Sequence, residues 1–172
     1  MLEFVSNIRR VVQSPKRNTF HTHPMRLFLL ATISFLFASA TGPLHGQVSG
    51  TAEETSQGFR QIFDGTGLEG WENKGNWVVE EGALLRKEKG GSIVFKAEPV
   101  PDDFELRFEW KISEKGNSGV YYRPGQYEYQ VLDNQKHGDG KNPRTSAASL
   151  YFCMPPAVDA TKPVGELNEG RI

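Results

Sequence analysis

Between Phe104 and Ile112 the chain alternates without a break. Phe104, Leu106, Phe108, Trp110 and Ile112 fall on one side, and Glu105, Arg107, Glu109 and Lys111 on the other. A period of two belongs to a strand buried on one face and wetted on the other. The opposed charges of the wet side fit a solvated surface rather than a site. Trp77-Val78-Val79 and Ala83-Leu84-Leu85 flank Glu80-Glu81-Gly82, which predicts a hairpin in which Gly82 is able to take a positive φ. Ser92–Phe95 reads as a further strand after Gly90-Gly91. Val120–Arg123 and Glu128–Leu132 read as two more, separated by Pro124-Gly125. No stretch after residue 58 carries the pattern of a long amphipathic helix. Short strands punctuated by Gly and Pro predict an all-β, antiparallel sandwich or barrel. The last residues, Gly170-Arg171-Ile172, read as the start of a strand.

The first forty residues follow a different pattern. Arg26 is the last charge before Leu27–Ala40, a run that is apolar or small throughout and ends in Ala38-Ser39-Ala40. Fourteen residues are too few to span a bilayer, which takes about 20, but a basic flank, a short apolar run and a small-x-small end make a secretory signal peptide. Met25 precedes Arg26, so a start at Met25 would make residues 1–24 an extension. The expected organisation is a leader over 1–40, a polar Gly/Ser/Thr-rich linker over 41–57 and one domain over 58–172, exported to the periplasm or beyond. After signal cleavage no membrane attachment is expected.

Charge changes the picture only by where it lies. The chain has 20 basic and 21 acidic residues, a net of -1. Arg9, Arg10, Lys16, Arg17 and Arg26 sit in the leader against Glu3 alone, which leaves 15 and 20 beyond it, a net of -5. No basic cluster remains to follow phosphates, so a nucleic-acid partner is not expected. Cys153 is the single cysteine. It forms no intrachain disulfide, and its expected place is that of a small buried hydrophobe.

Polar residues outside any core-or-surface pattern gather in Asn117–His137. In a strand through Glu128–Leu132, Glu128 and Gln130 point one way and Tyr129 and Val131 the other. If Tyr129 and Val131 face the core, Glu128 and Gln130 lie on the face where sugar-binding sandwiches hold ligand. Arg123, on the preceding strand, is either a neighbour of Glu128 in a site or half of an ordinary surface ion pair. His137, four residues past Asp133, is too isolated for a metal motif, since zinc sites gather three or four ligands. Trp71, Trp77, Tyr121 and Tyr122 are large enough to stack on sugars, although core packing is the expected role of the two tryptophans. The chain shows no nucleophile elbow, P-loop or dinucleotide-binding glycine pattern.

Four segments, GFRQIFDGTGLEGWENKGNWVVEEGALL, DFELRFEWKISEKGNSGVYYR, YEYQVLDNQKH and KPVGELNEGRI, resemble in order the 3-keto-disaccharide hydrolase family, whose members are similar to concanavalin A-like lectin/glucanase sandwiches. The resemblance runs from Gly58 to Ile172. It implies an antiparallel jelly-roll sandwich and cleavage of glycosides oxidised to a ketone at C3. The C3 ketone acidifies the proton on C2; a base removes it, the aglycone leaves C1, and water adds to the enone. Such a site needs a base near C2 and a donor or cation for the enolate oxygen. By position in the resemblance, Glu128 or His137 is the base, and Arg123 or a divalent cation stabilises the oxyanion. Asn117 and Gln130 hold sugar hydroxyls, and Asp133 and Tyr122 complete the substrate site. No other cofactor is implied. The sequence departs from the family at Leu167, where Trp is usual, and the family continues with several more strands after the position of Ile172. The sequence therefore predicts an incomplete sandwich.

Two classes of function stay open at this point. One is an enzyme acting on 3-keto-glycosides; the other is a carbohydrate-binding module without catalysis on the same fold, because function lives in the site and not the fold. A shortened product without function is the third reading.

Overall fold

The computed structural model describes residues 4–13, 52–123 and 125–172, with residues 4–13, 52 and 53 described by backbone alone. The apolar run Leu27–Ala40 and the linker up to Thr51 lie outside the described residues. Apart from one short helix and a 3-10 turn, the described chain is strand and loop. In chain order the elements are β1 (Phe4–Gln13), α1 (Ala52–Ser56), β2 (Trp71–Asn73), β3 (Trp77–Glu80), β4 (Ala83–Arg86), β5 (Ile93–Phe95), β6 (Phe104–Ile112), β7 (Asn117–Tyr122), β8 (Tyr127–Leu132), a 3-10 turn (Gly138–Lys141) and β9 (Asn168–Arg171). Every paired strand is antiparallel.

Five strands form the larger sheet in the order β3-β4-β1-β6-β9, and β2-β5 and β7-β8 are two-stranded. β6 occupies the predicted span, with Leu106, Phe108, Trp110 and Ile112 buried. Phe104 is only half-buried and packs at the margin of that core. The β7-β8 ribbon lies over this apolar face. The Tyr129 ring meets Phe108 edge-on at 5.2 Å, and Tyr122 meets Phe104 at 6.1 Å. Val131, Leu132 and Ala147 close the same core with Phe63, Trp77 and Leu84. Two apolar faces pressed together make the sandwich that the alternation predicts.

The predicted β3-β4 hairpin has a two-residue turn with Glu81 at φ 51° and Gly82 at φ 77°. Two consecutive positive φ values match the right-handed twist of the flanking strands. The wet face of β6 is an ion-pair surface. Arg107 reaches Glu105 at 2.7 Å, Arg171 on β9 reaches Glu105 at 2.9 Å, and the Arg107 guanidinium lies 4.0 Å over the Phe59 ring. β9 lies against β6 with Gly170 opposite Phe108, and any β-carbon there would enter the Phe108 ring.

Three expectations change. Residues 52–56 of the expected linker form helix α1, which ends on Gly58 at φ 85°; a left-handed glycine after the last turn is a common helix stop. Cys153 is exposed, not buried, because it sits in the turn between Leu150 and Met154. Phe4–Gln13, within the stretch read as a leader, forms the strand between β4 and β6. Its register sets Phe4 opposite Ile112, Ser6 opposite Trp110 and Ile8 opposite Phe108, with a bulge between Arg9 and Val11.

Candidate functional site

The site begins with the β7-β8 register. Tyr121 faces Glu128, Gly119 faces Gln130 and Asn117 faces Leu132 across the ladder. Residues directly opposite share a face, so Asn117, Gly119, Tyr121, Glu128 and Gln130 lie on the side away from β6. Tyr122, Tyr127 and Tyr129 lie on the core side, where Tyr122 stacks between Phe104 and Tyr127.

The segment after the 3-10 turn folds back along the outer edge of β8. Ala148 N–H donates to Gln130 O at 2.8 Å, Gln130 N–H to Ser149 O at 3.1 Å, and Tyr151 N–H to Glu128 O at 3.0 Å. Side chains pin the loop between: Asn134 Oδ1 accepts from Ala147 N–H at 2.8 Å, and the Thr145 hydroxyl donates to Asp139 O at 2.7 Å. This loop roofs one end of the outer face. Gln130 is 1% exposed beneath it, with Nε2 3.4 Å from Thr145 O. The other end, at Tyr121 and Glu128, stays open, with Tyr121 62% exposed.

Around that opening the chemistry is concentrated. The Tyr121 hydroxyl donates to the Glu128 carboxylate. Burial pushes the Glu128 carboxyl above its ordinary value, against the Tyr121 hydrogen bond, which favours the charged form. Desolvation, then the hydrogen bond and charge of Glu128, push the Tyr121 phenol up to about 12. Tyr151 is raised first by desolvation, then by the charges of Asp139 and Glu128. The far rim is His137, Asp139 and Asn117. His137 caps the 3-10 turn, its Nδ1 accepting from Asp139 N–H at 3.2 Å and lying 3.7 Å from the Asp139 carboxylate. Asn117 Nδ2 lies 3.4 Å from the same carboxylate.

Of the residues expected in the site, Glu128 and Asn117 share the outer face of the ribbon, and His137 and Asn117 meet through Asp139. Gln130 shares that outer face but supports the loop from beneath it. Arg123 falls in the turn, at φ 49°, and donates to Asp102 O at 2.7 Å. The partner of Glu128 across the ladder is Tyr121, two residues earlier. Asp133 is 3% exposed and ties the loop: Oδ2 accepts from Lys115 N–H at 2.8 Å and Oδ1 from Gln135 N–H at 3.1 Å. Tyr122 faces the core. The residues absent from the sequence-based site are Gly119, Asp139 and Tyr151, with Tyr121 named only as a stacking surface. Strand parity alone signals Tyr121, since it shares a face with Asn117 and Tyr122 does not. Among the described residues no group of three or more His, Cys, Asp and Glu side chains gathers that could hold a metal ion.

Residues 58–172 match the family model described as the 3-keto-alpha-glucoside-1,2-lyase-like domain. The chain is 31% identical over 154 residues to a 3-keto-disaccharide hydrolase of Bacteroides thetaiotaomicron, a match covering 68% of this chain and 52% of that protein. The chain thus spans about half the length of the curated relative it matches.

Proposed function

Since the chain belongs to the 3-keto-alpha-glucoside-1,2-lyase-like family over residues 58–172, we propose that it is a hydrolase that cleaves 3-keto-glycosides by elimination and hydration, with Glu128 as the base that takes the C2 proton. The observation that carries this reading is the Glu128 carboxylate at the open end of the outer face, partly desolvated and held by the Tyr121 hydroxyl. A carboxylate lifted out of water is a stronger base than one on the surface, and catalytic carboxylates are tuned in this direction. In this reading the hydrogen bond from Tyr121 orients the carboxylate toward the C2 proton.

His137 takes the complementary part. Its Nδ1 accepts from Asp139 N–H, so in the neutral ring the proton sits on Nε2. A ring fixed this way offers an N–H donor to the enolate oxygen at C3 and does not compete with Glu128 for the C2 proton. Arg123, engaged with Asp102 O, has no part in this scheme. In this scheme Asn117 holds a sugar hydroxyl from the Asp139 side of the face. Two carboxylates flanking the scissile bond, as in an ordinary glycosidase, are not required, because the ketone makes the C2 proton removable.

The test is release of free sugar from a 3-keto-glucoside by the purified chain. Turnover by the wild type, and a fall of roughly 10²–10⁴-fold in kcat with Glu128→Gln at retained substrate binding, are the expected results. Binding without turnover by the wild type would make the domain a carbohydrate-binding module. Unchanged kinetics in Glu128→Gln would remove Glu128 from the chemistry.

A further inference from the structure

Tyr151 comes to the site by backbone structure from outside the β7-β8 hairpin. Its N–H donates to Glu128 O at 3.0 Å, and its neighbour Leu150 bridges Tyr129 on one side and Met154 on the other. Ala148 at φ 63° and Phe152 at φ 59° bracket it, two non-glycine residues in the left-handed region. Such backbone is strained and persists where the surroundings enforce it. Here Ala148 N–H donates to Gln130 O and Phe152 N–H to Arg144 O, both at 2.8 Å. The Phe152 ring packs edge-on against Tyr151 at 4.6 Å. A strained, doubly anchored turn thus holds Tyr151 directly opposite Glu128 along the outer edge of β8, so that the two side chains share the open face. Tyr121 donates to Glu128, but among the described residues no partner engages the Tyr151 hydroxyl.

We infer that Tyr151 is the acid that protonates the leaving oxygen at C1, a role that rests on the elimination reading above. The atoms balance around two residues. Glu128 takes the proton from C2, and the electron pair forms the enolate. The enolate collapses to the C1=C2 double bond as the C1–O bond breaks, and the Tyr151 O–H proton goes to the departing oxygen. Water then adds to C1, its proton returning to the Tyr151 phenolate, while C2 recovers its proton from Glu128. Each residue ends as it began, and the sum is glycoside plus water giving alcohol plus free sugar. Charge favours this order. A phenolate opposite the Glu128 carboxylate is opposed by its charge, but Glu128 is neutral by the time Tyr151 gives up its proton. The opposing charge is therefore gone when the acid is needed. The departing alkoxide of a sugar or alkyl group is also more basic than the phenolate, so the transfer runs downhill.

The experiment compares Tyr151→Phe with wild type on two 3-keto-glucosides, one with a 4-nitrophenyl and one with a methyl aglycone. Nitrophenolate leaves without a proton; methoxide does not. The expected result is a loss of roughly 10²–10⁴-fold in kcat/KM on the methyl substrate, with the nitrophenyl substrate within about fivefold of wild type. Cooperative melting of both proteins at matching temperature accompanies it. Equal losses on the two substrates would overturn the proposal by making Tyr151 a positioning residue, and no loss on either would overturn it by removing Tyr151 from the reaction. Wild-type protein inert toward both substrates would bring down the elimination reading itself, an outcome distinct from the other two.

Discussion

Gly119 has no side chain for a reason that lies across the hairpin. A β-carbon there would run into the Glu128 carboxylate, and its backbone is not in the left-handed region that would itself demand glycine. Gly119→Ala is therefore tolerated by the strand and resolved by moving Glu128. The expected outcome is an unchanged or slightly raised melting temperature, since Ala limits the unfolded chain, together with at least about a tenfold loss of kcat. Full activity in this variant would show that the carboxylate position is unimportant. Protonation at Glu128 gives a second prediction. Its folded pKa is raised, so its contribution to stability is fully present below the unfolded pKa and is lost as pH rises through the folded value. Activity runs the opposite way, because the base must be ionised. The acid limb of kcat/KM is expected above the ordinary carboxylate value of 4.5. The Tyr121 hydrogen bond lowers that pKa, so Tyr121→Phe moves the limb further up. A limb unmoved by Tyr121→Phe would separate that phenol from the base.

Among the elements, β6 has the greatest structural weight. It pairs with β1 on one edge and β9 on the other, and its buried face meets β8. Phe108, 2% exposed, is packed by Tyr129 from the ribbon and by Gly170 from β9. Phe108→Ala is expected to cost about 3–5 kcal/mol in denaturant unfolding, with spread set by how far Tyr129 moves into the gap. A value under about 1 kcal/mol would mean that the ribbon is not seated on this sheet. The span and face of β6 were legible because unbroken alternation leaves one register that buries the apolar set. β2 was not legible: Trp71–Asn73 is three residues long, and only its ladder to β5 and the Trp71–Phe95 ring contact at 5.2 Å make it a strand.

For the whole molecule, the order β3-β4-β1-β6-β9 makes the N-terminal strand the link between the β3-β4 hairpin and the rest of the large sheet. Processing after Ala40, as the small-x-small end of the apolar run suggests, would take β1 away and leave β4 and β6 with unpaired edges over an apolar layer. Open apolar edges template association. Residues 41–172 alone are expected to bind a hydrophobic dye and to self-associate, whereas residues 1–172 melt cooperatively. Sedimentation and thermal unfolding of the two forms decide this. A soluble, cooperatively melting monomer of residues 41–172 would mean that β4 and β6 close on each other without β1.

The sequence determined the antiparallel sandwich, β6 to the residue, the β3-β4 turn and the outward parity of Glu128, because each follows from local periodicity or turn chemistry within a few residues. Parity also contained a conflict: Asn117 and Tyr122 cannot share a face of one strand, and the ladder resolves it in favour of Tyr121. The surroundings of Glu128 were decided by tertiary structure. Asp139 meets Asn117 across 22 residues of chain, and Tyr151 reaches Glu128 through a backbone bond that no side-chain pattern encodes. Asp133 and Gln130 look like site residues by type, yet the loop they anchor uses their polar atoms on backbone. A buried polar side chain satisfies the groups nearest it, and which groups those are depends on how the loop after β8 turns back, which alternation along a strand does not determine.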